Sequence, residues 1–441
     1  MNTTDPTHGN CGDANAEERN LKEAVLMASS VYWKRRLWMY LLTGSVALSA
    51  LSLWVGSARS STTEVLYSFA GEDDGEYTDT DVAIDAAGNL YGTSVLGGEF
   101  GGGTVWQLSP VGGSWVHTVL YSFTGGADGG EPYKGVTLDA AGNLYGTAVT
   151  GGSGSCEGGC GVAYKLAKSG TTWTQTVIHA FTGGADGSGP GSRVAVDQRG
   201  NLYGMTPTGG TDGLGVIYQL HPRSNGEWAL RVIHTFTGGA DGSSGSAGKL
   251  LLRGGNIYGA ATTGGLSGSG TVFELTPTRT GEWDLKTLYS FQGAPDGSFP
   301  YGALLFDAAG NLYGTTYYGG ANGLGAVYKL SPNEIGEWSE TVLYSFQTGS
   351  DGNSSISNLV SDPAGNLYGT TSEGGLGSGT IFKLTPGQNG SWTESIAHSF
   401  QGSPDGAFPY AGMVAGRGGS FFGATVHGGD DGDGAIYKFT P

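Results

Sequence analysis

One block of about 55 residues is written seven times along this chain, and that repetition limits the fold more than any other feature. A phenylalanine closes the LYSF-like end of each copy, at Phe69, Phe123, Phe181, Phe236, Phe291, Phe346 and Phe400. The stretch DAAGNLYGT stands at Asp85–Thr93 and returns unchanged at Asp139–Thr147 and Asp307–Thr315. A catalytic motif is needed once. A unit that cannot bury its own faces is needed many times, because only neighbouring copies can cover it. The copy with the longest spacing, Phe123 to Phe181, contains the insertion CEGGC.

Each copy reads as four strands. In the fifth they are YGALLFD, NLYGTTYY, GAVYKLSP and WSETVLYSF. Asp-x-x-Gly-Asn fits the turn between the first two, since Asp accepts from backbone N–H groups two residues on and Gly or Asn takes positive φ. The pair Gly-Gly opens the loop to the third strand, and Pro closes that strand because it cannot donate to a ladder. Four strands per copy, seven times, predict an all-β chain: a seven-bladed β-propeller spanning 62–441. Blade boundaries fall near 70–123, 124–181, 182–236, 237–291, 292–346, 347–400 and 401–441 plus 62–69. The ends support a ring. Copy one is preceded by a lone strand, TEVLYSF, while copy seven stops after its third, AIYKFTP. Pairing of Thr63–Phe69 with Ala435–Thr440 would complete the last blade and leave no open sheet edge.

The tandem pattern LYSF…DG…DAAGNLYGTT…GG…GxVYKL, from residue 64 to 441, resembles the Gloeo-Verruco (GloVer) repeats of the choice-of-anchor group. That resemblance implies an exported bacterial surface protein and no particular activity.

The export expectation also has its own sequence basis. Lys34–Arg36 precede an apolar run, Leu37–Val55, and the small residues Gly56, Ser57 and Ala58 follow. This is the order of a signal peptide cut after Ala58, or of a signal anchor spanning a bilayer. Residues 1–36 are then a cytoplasmic tail with a basic region, or a mis-assigned start with Met27 as the true one; residues 37–58 are the apolar segment. Either reading places the repeats outside the cytoplasm, secreted, periplasmic or held at the inner membrane, and touching membrane only through that segment.

Glycine contributes 85 of 441 residues, without a triplet period, and the formal net charge is -18. Residues 61–441 carry 34 acidic against 15 basic side chains. Such a surface repels phosphate backbones and excludes nucleic acid as a partner. A monomer is expected. Cys156 and Cys160 are a disulfide candidate in an oxidising compartment.

No constellation marks a catalytic centre, and no cofactor is required. The Asp-Gly loops each offer one carboxylate, too few for calcium, and read as turns. Asp430, Asp431 and Asp433 are weak calcium candidates. His179, His234 and His398 stand where sister copies carry Tyr67, Tyr121, Tyr289 and Tyr344, an exchange expected of packing rather than metal binding. Trp115, Trp173, Trp228, Trp283, Trp338 and Trp392 open the fourth strands and read as packing between blades.

The copies differ most between Asp-Gly and the first strand. If that strand lines the axis, these loops ring one mouth of a central channel. They carry Asp79, Asp81, Tyr133, Lys134, Arg193, Tyr301, Asn358 and Tyr410, a set suited to a polar ligand such as a glycan, or to a protein partner. The expected function is a surface binding or scaffold module. The alternative is a glycan-active hydrolase or lyase using the pair Asp79 and Asp81.

Overall fold

The computed structural model describes residues 61–243 and 248–441. The tail, the apolar run Leu37–Val55, the Ala58 cleavage site and Met27 lie outside them. Among the described residues no helix is long and apolar enough to cross a membrane.

Seven four-stranded antiparallel sheets follow one another; six are ordered as meanders, and the last takes its outer strand from the start of the ring. Blade 1 consists of β2 (Ala83–Ile84), β3 (Leu90–Ser94), β4 (Thr104–Val111) and β5 (Ser114–Ser122). β1 (Thr62–Ser68) does not belong to it. It pairs antiparallel with Ala435–Thr440 across a register running from Thr62↔Thr440 to Ser68↔Ala435. The ring therefore closes as the chain ends predict. Phe69 N–H donates to Gly434 O at 3.0 Å within the same blade. Further contacts bind blade 7 to blade 1: Arg417 donates to Ala86 O, and Trp115 meets Phe422 edge to face.

The first strand of each blade is shorter than its apolar run suggests, only two residues in blade 1. Its preceding residues leave the ladder to bond the neighbouring blade instead. Thr93, Thr147, Thr315 and Thr370 each donate to a carbonyl there, at Tyr133, Ser192, Ser357 and Ala411. Among the described residues, the one eight after the closing phenylalanine always adopts a left-handed conformation: Tyr77, Glu131, Gly189, Phe299, Ser354 and Phe408. A non-glycine residue is strained there. What holds it is a pair of backbone bonds, seen for Phe408: its N–H donates to Ser378 O of the preceding blade, and its carbonyl accepts from Val426.

The second strand of every blade is wholly buried, apart from one half-buried asparagine in blade 4. Its central glycine is steric. A Cβ at Gly92, Gly146, Gly204, Gly259, Gly314, Gly369 or Gly423 would overlap the aromatic ring facing it from the third strand, Trp106, Tyr164, Tyr218, Phe273, Tyr328, Phe382 or Tyr437. Those rings pack on the preceding phenylalanine, most of them edge to face, as Tyr164 does on Phe123 at 5.0 Å, with Trp106 tilted on Phe69. Each pair of neighbouring blades thus shares an aromatic contact, set within aliphatic clusters.

Candidate functional site at the channel mouth

The short first strands line the axis. Arg193 of blade 3 donates through Nη1 to the carbonyl of Asp81 in blade 1 at 3.3 Å, a contact between blades that are not neighbours. One small cavity of about 30 Å³ is lined by Asp81, Lys134, Tyr301, Ile356, Asn358 and Tyr410, drawn from five blades. Loops from separate copies therefore converge at one end, because radial sheets bring equivalent positions to a common axis.

The register explains the layer. Four residues before each hairpin aspartate, or its replacement, stand Asp81, Gly135, Arg193, Gly248, Ala303, Asn358 and Gly412. Four of the seven are Gly or Ala, so three long polar side chains can occupy a narrow shaft. Asn358 donates to Met413 O at 3.2 Å, and the Gly412 N–H donates to Asp81. One position before Lys134 and its equivalents lie Asp79, Tyr133, Tyr301, Ile356 and Tyr410.

Lys134 grips Asp79 through both carboxylate oxygens, at 2.8 and 2.7 Å. The pair is deep but not sealed, with 25% of the Lys134 side chain and 10% of the Asp79 side chain exposed. Burial opposes the charge on Lys134, yet Asp79 outweighs it and raises the amine's pKa. Asp81 has the opposite fate. Burial raises its pKa despite the nearby cations Arg193 and Lys134. Burial also lowers the pKa of Arg193, with Asp81 opposing. Above this layer Tyr410 is pushed up to about 12 by burial and by its neighbours Tyr77, Tyr317 and Asp79.

The structure brings together seven of the eight mouth residues read from the sequence. Tyr133 is the exception: its carbonyl serves Thr93 and Gly135, and its ring does not line the cavity. Two residues were missed. Tyr77 joins the tyrosines. Lys249 stands three before the hairpin corner, where sister blades carry Val82, Val136, Val194, Leu304, Leu359 and Met413. Burial and the charge of Arg193 pull its amine down to about 7, with Asp81 opposing. A charged residue at an otherwise apolar repeat position was a usable signal.

Elsewhere the acidic residues are structural. Every Asp-Gly aspartate accepts from the backbone N–H four residues earlier and from the Tyr or His seven earlier. Tyr67 bonds Asp74 at 2.7 Å, and His234 bonds Asp241 at 3.0 Å. Tyr and His exchange freely because both reach the same carboxylate. Among the described residues no three His, Cys, Asp or Glu side chains converge on a cation position, so Asp430, Asp431 and Asp433 do not assemble into one. Cys156 and Cys160 are joined by a disulfide with Cα atoms 5.1 Å apart.

The Gloeobacter/Verrucomicrobia repeat family matches residues 153–377 and 253–441, most of the ring. The chain belongs to this family. No curated protein matches it. Among solved structures, one from Lactobacillus plantarum is similar at 14% identity and TM-score 0.47, over 76% of this chain and 88% of that one. A protein of unknown function from Dyadobacter fermentans is similar at 10% identity and TM-score 0.43, over 76% and 98%. Within the Gloeobacter/Verrucomicrobia repeat, the nonapeptide is a hairpin corner. Asp85 accepts from the N–H groups of Ala87 and Asn89, the Asn89 amide and the Tyr91 hydroxyl.

Proposed function

We infer that this protein is an exported binding module that holds a polar ligand, of glycan type, over the channel mouth. The convergence of Asp81, Lys134, Tyr301, Asn358 and Tyr410 from five blades on one cavity carries the reading. Tyrosine rings supply flat faces for a sugar ring, and the amide and ionised groups supply hydrogen bonds of both senses. The cavity itself has room for water and not for a sugar, so the ligand rests across the opening.

The rival reading, a hydrolase or lyase, draws support from the two carboxylates. Asp79 is paired with a cation, whereas burial raises the pKa of Asp81, and such a difference in surroundings suits acid and base roles. The same narrow cavity argues against it, because a scissile bond cannot descend between them.

A glycan array with the full-length protein separates the two. Binding without release of reducing ends, lost in Tyr410→Ala, is the expected outcome. Turnover that disappears in Asp79→Asn and Asp81→Asn would establish the enzyme instead.

A further inference from the structure

A second polar site lies at the opposite end of the ring. In each blade the first strand runs from the mouth to the hairpin corner, so corners and third-to-fourth-strand turns share the far end. Between blades 3 and 4 that end opens into a cleft of about 780 Å³. Arg199, Arg231 and Arg253 line it, together with Gln219, Asn256 and Trp283.

Most sister blades lack these arginines. Where blade 3 has Arg199, other corners have Ala87, Ala141, Ala309 and Ala364. Where it has Arg231, sister fourth strands have Thr118, Thr176, Thr341 and Ser395, and blade 4 has Lys286, which donates to Gly336 O as Arg231 does to Gly281 O. Arg253 stands where other corners have Ala86, Ala140, Gln198, Ala308 and Pro363, and blade 7 has Arg417. Most blades are therefore made without an arginine at these positions. Only seven arginines occur in residues 61–441, and three of them meet at one cleft of a chain with net charge -18.

Their hydrogen-bonding capacity is only partly used. Arg231 donates to Gly281 O at 2.8 Å and pairs with the exposed Glu282 at 2.9 Å. Arg253 lies over the Phe306 ring at 4.2 Å, which leaves its N–H edge open. Among the described residues no carboxylate or carbonyl takes the exposed Arg199 guanidinium. Asp197, the other acid in the cleft, is fully engaged in its own corner. Gln219 and Asn256 each donate one N–H, to Tyr203 and Glu274, and their amide oxygens can accept from hydroxyls.

We propose that this cleft binds a carboxylated saccharide, a uronate, with guanidinium forks on the carboxylate, amide oxygens on the hydroxyls and Trp283 beside the sugar face. Planar forks match a carboxylate in two-bond geometry, and the volume suits one to a few sugar residues. The acidic surface elsewhere is screened beyond about 8 Å at physiological salt, so it does not bar a bound anion.

Isothermal titration of the full-length protein with trigalacturonate tests this, with cellotriose and inorganic phosphate as comparison probes. Saturable binding of trigalacturonate alone is expected, weakened about tenfold or more in Arg199→Ala with Arg253→Ala. Those replacements install what sister blades carry, so folding is retained; Arg199→Ala alone, at an exposed corner, is the second variant and weakens binding in the same direction. Leu376→Ala, at an exposed position away from the cleft, leaves this binding unchanged. Absence of saturation at millimolar probe, equal binding of cellotriose or phosphate, indifference to both arginine variants, or loss in Leu376→Ala would each overturn the proposal.

Discussion

The buried aromatic that faces each second-strand glycine exposes a residue-scale compromise. Tyr164, Tyr218, Tyr328 and Tyr437 are fully buried, and their hydroxyls have no partner. Blades 4 and 6 place Phe273 and Phe382 at the same position. An unpaired buried hydroxyl costs about 1–3 kcal/mol, so Tyr164→Phe and Tyr328→Phe should each raise the free energy of unfolding by about 1 kcal/mol in urea titrations. A second position, six before the closing phenylalanine, carries His117, Gln175, Leu230, Leu285, Glu340 and Glu394. Burial pushes Glu340 and Glu394 from 4.5 up to about 7, with Asp296 and Asp351 adding to it. The folded state then keeps protons that the unfolded chain has released, and stability falls as pH rises from 4.5 to 7. His117 behaves oppositely. Burial draws it from 6.5 down to about 4, against the pull of Asp74, so stability is lost as pH falls through that window. Thermal unfolding should show a larger gain from Glu340→Leu at pH 8 than at pH 4, and a larger gain from His117→Leu at pH 5 than at pH 8. None of this was legible beforehand, because the sequence does not say which face of a two-sided sheet each residue meets.

At the scale of the element, the hairpin corner shows how one job is done by three sets of residues. Five blades use an aspartate with Asn and Tyr partners, as at Asp307. Blade 4 has Leu252 instead, and its strands continue to Arg253↔Asn256 around a Gly254-Gly255 turn. Both glycines take positive φ, as a two-residue hairpin requires. Glu274 on the next strand accepts from Asn256 and Tyr258 at 2.6 Å. Blade 7 drops the aspartate and the tyrosine together, with Gly416 packed against Phe422. Asp307→Ala and Glu274→Ala should therefore each cost about 1–3 kcal/mol, read from denaturant midpoints. The corner itself was legible from Asp-x-x-Gly-Asn, because its bonds are local. The substitute in blade 4 was not, since Glu274 lies 18 residues beyond Asn256. Likewise the spacing revealed four strands, whereas the curtailed first strand follows from bonds to another blade.

For the whole molecule, the count of seven and the closure were readable because one strand is surplus at the start and one is missing at the end. Which mouth residues meet was readable only in part: the axis places positions, yet Tyr133 does not line the cavity. Removing β1 should leave the last sheet with a bare edge and a fully buried Phe69 site empty. Deletion of residues 61–69 is expected to produce dimers or aggregates on size-exclusion chromatography, and Phe69→Ala to cost about 3–5 kcal/mol. The clasp also sets an order of events. Thr62–Ser68 is among the first strands of the ring to leave a ribosome, and its mate, Ala435–Thr440, is the last. Until Ala435–Thr440 has been made, every nascent intermediate is an open arc with its opening strand idle. Resistance to protease should thus arrive late and in one step, once that strand emerges, giving the growing chain a long interval in which it stays pliable.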